Sequence, residues 1–294
     1  MHMKKFILIC LVLMATSACS APQNTAISNV KIIETTRFHD VAELAKQKIS
    51  TYSSQNVLIV VDIDNTLLTS TSDLGGDIWY QWQREQLSVK PTVEQKVKCL
   101  FEDSITLLYE LAPMQLTEDD LPAQIQQWQK QGITLFALTS RSPTSRSATM
   151  RELTRAGMDM SQTALRAKGQ EALMLQEKLP RNMTYIQGVM MTSGMDKGKM
   201  LSYILDKTQR HFDAILFVDD SQKNVDNLYA EFSTKTNIDM TIFHYTKVEE
   251  DRLKAQGSIL TQEQANQMAQ QWLELNHVLN NIYPARDIPT CLGQ

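Results

Sequence analysis

The stretch Asn56-Val-Leu-Ile-Val-Val-Asp-Ile-Asp-Asn-Thr66 decides the fold. Its five consecutive apolar residues, 57–61, read as a central strand covered on both faces, because a strand with one wet face would alternate apolar and polar side chains. Two carboxylates, Asp62 and Asp64, follow at the end of that run. They are two apart, so an extended chain points both to the same side. Function in open α/β sheets gathers at the carboxyl ends of strands.

Outward from this strand, apolar periodicity marks the remaining elements. Upstream, residues 30–37 read as a short strand and 40–49 as a helix with Val41, Leu44, Ala45 and Ile49 on one face. Downstream, 67–131 turns helical, with segments 79–87, 92–111 and 119–131 punctuated by Pro91, Pro113 and Pro122. Strands are predicted at 133–138, 185–191, 214–218 and 240–245, and helices at 146–155, 199–207, 224–232 and 261–280, with Gly157 stopping the first of these. Strands alternating with helices predict an α/β fold: a parallel sheet with helices on both faces. The long helical stretch after the strand 57–61 reads as a small inserted cap at about residues 70–131, within one domain spanning 30–294.

Three predicted strands end in polar groups: Asp62 and Asp64 on the first, Thr139, Ser140 and Arg141 on the second, Asp219 and Asp220 on the fourth. Taken singly, such groups are ordinary strand ends, and Asp64 or Thr66 could cap the next turn. Two acidic pairs on one sheet are harder to explain that way, because crowded carboxylates raise one another's pKa or require a cation. Four oxygen-donor acids suit Mg²⁺ and lack the imidazole or thiolate ligands that zinc prefers. A phosphate dianion would bring the local charge to about −6, against which Mg²⁺ and one lysine return about +3. A phosphate-handling version of this site therefore needs both.

The motifs themselves resemble the haloacid dehalogenase (HAD) superfamily, aspartate-nucleophile phosphatases on a Rossmann-like sheet. VVDIDNTLL is similar to its first motif, FALTSR to the second, DKGKML to the third and LFVDDSQKN to the fourth, in that order over about residues 56–246. The resemblance implies Asp62 as nucleophile, forming an aspartyl-phosphate. It implies Asp64 as general acid and then base, Thr139 as a phosphoryl hydrogen-bond donor and Lys197 as the neutralising cation. Lys199 is the alternative lysine. Mg²⁺ would sit among the Asp62 carboxylate, the Asp64 carbonyl and Asp219, with Asp220 in support. Asn224 would hold the surrounding loop.

The resemblance also suggests where substrate binds. Ser140 and Arg141 follow Thr139, and TSRSPTSR, which also contains Arg146, is similar to a stretch of the secreted class B acid phosphatases. Gly75 to Trp82 lies where that superfamily places a mobile flap. Trp79 and Trp82 share a helix face there, as core aromatics of the cap or as a wall against an aromatic leaving group. The expected partner is a small phosphorylated substrate; transfer to an acceptor other than water and a non-catalytic HAD-fold binding protein are the alternatives. A response-regulator receiver places its acid pair and its phosphorylated aspartate on different strands, which argues against that fold here. His39, His211, His244 and His277 show no ligand spacing and read as structural or exposed.

Composition and the amino terminus set the context. The chain has 294 residues, 43% of them hydrophobic, enough to bury a full core. Its formal charge of −4 offers no footprint for a nucleic-acid backbone. Lys4 and Lys5, the apolar run 6–14 and the small residues before Cys19 read as a signal peptide over 1–19, either a cleavable leader or a lipoprotein signal with a lipid anchor at Cys19. Residues 20–29 are a polar linker. No other stretch is long and apolar enough to cross a bilayer. The expectation is a protein exported from a bacterial cytoplasm: periplasmic, outer-membrane-tethered or secreted. Cys99 and Cys291 remain in the mature chain, and sequence leaves their pairing open.

Overall fold

A computed structural model describes residues 29–286, 290 and 291. The leader at 1–19, including Cys19, and almost all of the linker lie outside the described residues. In chain order the elements are β1 (Val30–Thr35), α1 (Phe38–Tyr52), β2 (Val57–Val61), β3 (Leu68–Ser70), α2 (Asp77–Gln83), α3 (Ile105–Leu111), β4 (Met114–Leu116), α4 (Leu121–Lys130), β5 (Thr134–Thr139) and α5 (Arg146–Arg155). There follow β6 (Leu175–Lys178), β7 (Asn182–Ile186), β8 (Val189–Met191), α6 (Lys197–Thr208), β9 (Ala214–Asp219), α7 (Gln222–Phe232), β10 (Asp239–Tyr245), α8 (Lys247–Gln256) and α9 (Gln262–Ile282).

The fold is α/β and Rossmann-like. Eight strands form one sheet in the order β1-β10-β9-β2-β5-β8-β7-β6. All pairings from β1 to β8 are parallel, and β6, β7 and β8 pair antiparallel at the far edge. β2 is buried along its whole length, as its unbroken apolar run requires. Its alternate residues feed two cores. Val57, Ile59 and Val61 pack with Phe38 and Val41 of α1, Ile125 and Trp128 of α4 and Leu153 of α5. Leu58 and Val60 pack with Leu201 and Ile204 of α6 and Leu228 of α7 on the other face.

Several expectations are corrected. The run 185–191 is a hairpin rather than one strand: Gln187 and Gly188 both have positive φ, 51° and 72°. A Cβ on Gly188 would lie 2.0 Å from the Met160 carbonyl oxygen, so only glycine fits the turn. The segment 92–111 is not one helix. Val93 is 83% exposed, and helix begins only where Leu100 and Leu108 reach a third core. A stretch without a face to bury gains too little to stay helical. α8 was not anticipated because it buries nothing; the pairs Lys247–Asp251 and Glu250–Lys254 support it instead.

The cap also differs from the expected 70–131 insertion. α4 packs in the core of the sheet and is its crossover helix. The cap core joins Ile78, Trp79 and Trp82 of α2 to Ala265, Met268 and Ala269 of the carboxyl-terminal α9. Cys99 and Cys291 are bonded across 192 residues, and Arg286 meets Asp103 at 2.8 Å, both fastening the chain's end to the insertion. Among the described residues no helix is long and apolar enough to cross a membrane.

Candidate active site

β9, β2 and β5 lie side by side, so their parallel carboxyl ends deliver Asp219, Asp62 and Thr139 to one place. The amide of Asp62 still donates to the Val218 carbonyl (2.9 Å), holding it against β9. Ile63 is fully buried in the sheet core, which turns its two acidic neighbours away from that core. Asn65, with φ 54°, then reverses the chain.

Lys197 is the centre of this arrangement. Its side chain is 1% exposed, and Nζ donates to Asp62 Oδ1 and Asp219 Oδ2, both at 2.6 Å. It opens α6, where Gly198 permits close approach to α7: a Cβ there would stand 2.4 Å from the Asn227 carbonyl oxygen. Burial works against the ammonium, but Asp219 and Asp62 outweigh it and hold Lys197 charged well past its ordinary range. The alternative, Lys199, is exposed; its backbone amide donates to Asp196 at the helix cap, and its charge acts on Glu231 and not on the acidic strand ends.

Asp219 is held from every side, with Oδ1 accepting from the Ser221 amide (3.0 Å) and Asn224 Nδ2 (2.9 Å). Asp62 has its second oxygen without a hydrogen-bond donor among the described residues. Burial pushes the Asp62 carboxyl up to about 8, with Asp219 and Asp64 adding to the rise and Lys197 opposing it. Asp220 is also raised well above its ordinary value, by burial and then by the surrounding carboxylates. Asp62, Asp219 and Asp220 offer oxygens within 4.8 Å of one another. A hard-oxygen donor set whose members suppress one another's ionisation fits a divalent cation such as Mg²⁺.

Asp64 takes a different course. Both its oxygens accept from one guanidinium, Arg141 Nε at 2.8 Å and Nη2 at 2.7 Å. Arg141 is buried, lies over the Tyr109 ring at 4.0 Å, and also donates to Thr149 Oγ1 (2.9 Å) and Met114 Sδ (3.0 Å). The residue expected to bind substrate therefore holds Asp64, while cap residues Tyr109 and Met114 enclose it. The Asp64 side chain is turned to this arginine and does not join the group formed by the Asp62, Asp219 and Asp220 oxygens. Thr139 is buried at the strand end, its hydroxyl accepting from the Arg141 amide at 3.1 Å.

Three other expected positions fall elsewhere. Ser140 is exposed and has no hydrogen bond to the carboxylates. Trp79 is fully buried, packed on Trp272 of α9 with ring centroids 6.0 Å apart, so it serves as a core aromatic of the cap and presents no face to a ligand. Arg146 donates to Thr184 Oγ1 and to the Ile186 and Val189 carbonyls, which pins the β7–β8 hairpin.

The structure adds residues that motif reading missed. Asp77, the first residue of α2, accepts from Asn65 Nδ2 (3.0 Å) and Gln81 Nε2 (2.5 Å), so the flap helix is tied to the residue after Asp64. Burial, with Asp64 next, pushes its carboxyl up to about 6. His244 faces the Asp220 carbonyl at 3.0 Å, placed there by its register beside Asp219. That register was the one available signal: His244 stands at the carboxyl end of the predicted strand 240–245.

Comparison with known proteins gives few names. The family described as "Protein of unknown function (DUF2608)" matches residues 34–284. A Chlamydia pneumoniae protein named "Putative outer membrane protein" is 26% identical over 174 residues, 59% of this chain. A protein of the same name from Chlamydia trachomatis serovar D is 22% identical over 175 residues. The matched stretch spans 63% of each relative's length.

Proposed function

We propose that this chain, which belongs to the DUF2608 family of proteins of unknown function, is an exported Mg²⁺-dependent phosphohydrolase acting on phosphomonoesters. The observation that carries the reading is the Lys197 bridge between Asp62 and Asp219 at 2.6 Å each, two carboxylates that with Asp220 could share a cation. It adds to the resemblance of the four motifs to the HAD superfamily.

In this reading the free Asp62 oxygen attacks phosphorus, forming an aspartyl-phosphate while the ester oxygen leaves. Asp64 gives that oxygen a proton. It then takes one from the water that attacks phosphorus and frees Asp62. Because Arg141 occupies both Asp64 oxygens, Asp64 reaches the leaving group only when that fork opens. Lys197 keeps Asp62 oriented and offsets the charge of an approaching phosphate. The Thr139 hydroxyl hydrogen is available to a phosphoryl oxygen. Asp62, Asp219 and Asp220 would hold Mg²⁺, whose charge favours ionised Asp62 and screens the phosphate from the surrounding acids.

Export has separate support. The Cys99–Cys291 disulfide suits an oxidising compartment, and the names of both relatives fit a cell-envelope location. The test is hydrolysis of a phosphomonoester panel by the mature protein with Mg²⁺ or EDTA, beside Asp62→Asn. We expect Mg²⁺-dependent turnover that the variant lacks. Equal hydrolysis by both proteins would refute the enzyme.

A further inference from the structure

We propose that a cleft at the amino end of β5, lined by Arg166, Lys168 and Arg210, binds a phosphate-class anion. Thr134 opens β5 at this cleft and Thr139 closes it at the acidic site, so the two lie roughly 17 Å apart along the strand. The inference does not depend on hydrolysis at the other end.

The cleft encloses about 390 Å³, and no Asp or Glu lines it. Arg141, Arg252 and Arg286 each meet a carboxylate, whereas among the described residues neither Arg166 nor Arg210 has one within ion-pair reach. Arg166 donates to the carbonyls of Gln162, Ala164 and Glu171 at 3.2, 3.5 and 2.6 Å. Arg210 makes two long hydrogen bonds, to the Arg166 carbonyl (3.3 Å) and Thr134 Oγ1 (3.4 Å), and lies over the Phe212 ring at 4.9 Å. Carbonyls and a ring face engage these guanidiniums but bring no formal negative charge. Burial, and after it the neighbouring Arg166, press the Arg210 guanidinium below its ordinary range.

Thr163 also lines the cleft, its hydroxyl buried beneath the surface with no hydrogen-bond partner among the described residues. At the rim, Gly132 and Gly169 leave open the space a Cβ would take. Two guanidiniums and one ammonium around an open cleft without a carboxylate, on a chain of formal charge −4, match a phosphoryl group. A free phosphate compound or a lipid headgroup would present the same chemistry.

The experiment titrates pyrophosphate into the mature protein by calorimetry, with EDTA present so that the acidic site holds no metal. The protein is compared with Arg210→Gln, Lys168→Ala and Asp62→Asn. We expect saturable binding weakened about tenfold or more by Arg210→Gln, several-fold by Lys168→Ala, and unchanged by Asp62→Asn. Co-sedimentation with phosphatidylglycerol vesicles, against phosphatidylcholine, separates the sources. Selective retention that Arg210→Gln abolishes assigns a headgroup, and pyrophosphate binding without retention assigns a soluble ligand. Wild type that shows no saturation by about 10 mM pyrophosphate and no selective retention overturns the proposal, as does binding that the Arg210 and Lys168 variants leave intact.

Discussion

The carboxyl end of the sheet and the cap above it are built on opposite plans. At the sheet, short stretches of chain each deliver one group, and parallel register brings Asp62, Thr139 and Asp219 together. In the cap, an insertion between β2 and α4 shares its core with a helix some 180 residues away in sequence, and the joints are long-range: Cys99 to Cys291, Asp103 to Arg286, Asp73 to Arg252. The first plan leaves local motifs; the second leaves scattered cysteines, arginines and tryptophans. Arg141 stands between them, bound to Asp64 on one side and covered by Tyr109 and Met114 on the other.

The sharpest break in this contrast is Lys197→Met. Removing one partner of a buried ionic set costs about 3–5 kcal/mol, and loss of an aimed cation costs about 10²–10³ in turnover. Urea unfolding and phosphatase assays measure the two effects. Unchanged turnover removes Lys197 from the proposed chemistry, whatever happens to stability.

Next comes the cap staple. Cys99→Ser should cost roughly 2–5 kcal/mol, with the loss confined to the cap. Tryptophan fluorescence, to which Trp79, Trp82 and Trp272 of the cap and Trp128 of the sheet core contribute, should begin to change at lower denaturant than the far-ultraviolet signal of the sheet. A single coincident transition, shifted as a whole, shows instead that cap and sheet unfold together.

The joint between the regions should respond to pH. Glu152 of α5 accepts from the Met114 amide of the cap ribbon at 2.8 Å and from Arg151 and Arg155. Burial raises its carboxyl, but these donors outweigh burial and leave it below the ordinary 4.5. Its stabilisation is therefore present above about pH 4.5 and is lost as pH falls through the lower folded-state value. Glu152→Gln should cost about 1–3 kcal/mol near neutrality and flatten the acid limb of stability against pH. An acid limb identical to wild type moves that dependence to other carboxylates.

Arg252→Ala should have the smallest effect. Its bidentate contact with Asp73, at 2.8 and 3.1 Å, is partly exposed, so about 0.5–1 kcal/mol is expected. Hydrogen exchange across the flap loop around Asp73 should rise while β2 stays protected. Protection lost in β2 would mean the clamp supports the sheet itself.

How much could be read beforehand follows the same division. The apolar run before Asp62 and the acids at 219 and 220 were legible because each is a contiguous pattern with one structural outcome, whereas the lysine pair 197 and 199 left two. The hairpin within 182–191 was misread although Gln187-Gly188 marked a turn, since the flanking apolar residues continue on both sides. α8 was missed because nothing in it alternates between buried and exposed. Trp79 left two readings open, and only its contact with Trp272 places it inside the cap. The flap residue Asp77 carries no motif; its link to Asn65 exists only after the cap folds back over the sheet.

Sequence alone determined the α/β architecture and which strand ends carry acids, because burial on both faces requires unbroken apolar runs and parallel strands all end on the same side. Tertiary structure decided the rest: that Lys197 and not Lys199 reaches two carboxylates, that Arg141 claims Asp64, and that Cys99 meets Cys291. Those are choices of partner among chemically eligible groups. Distance in space makes them, and no local pattern encodes distance between segments far apart in the chain.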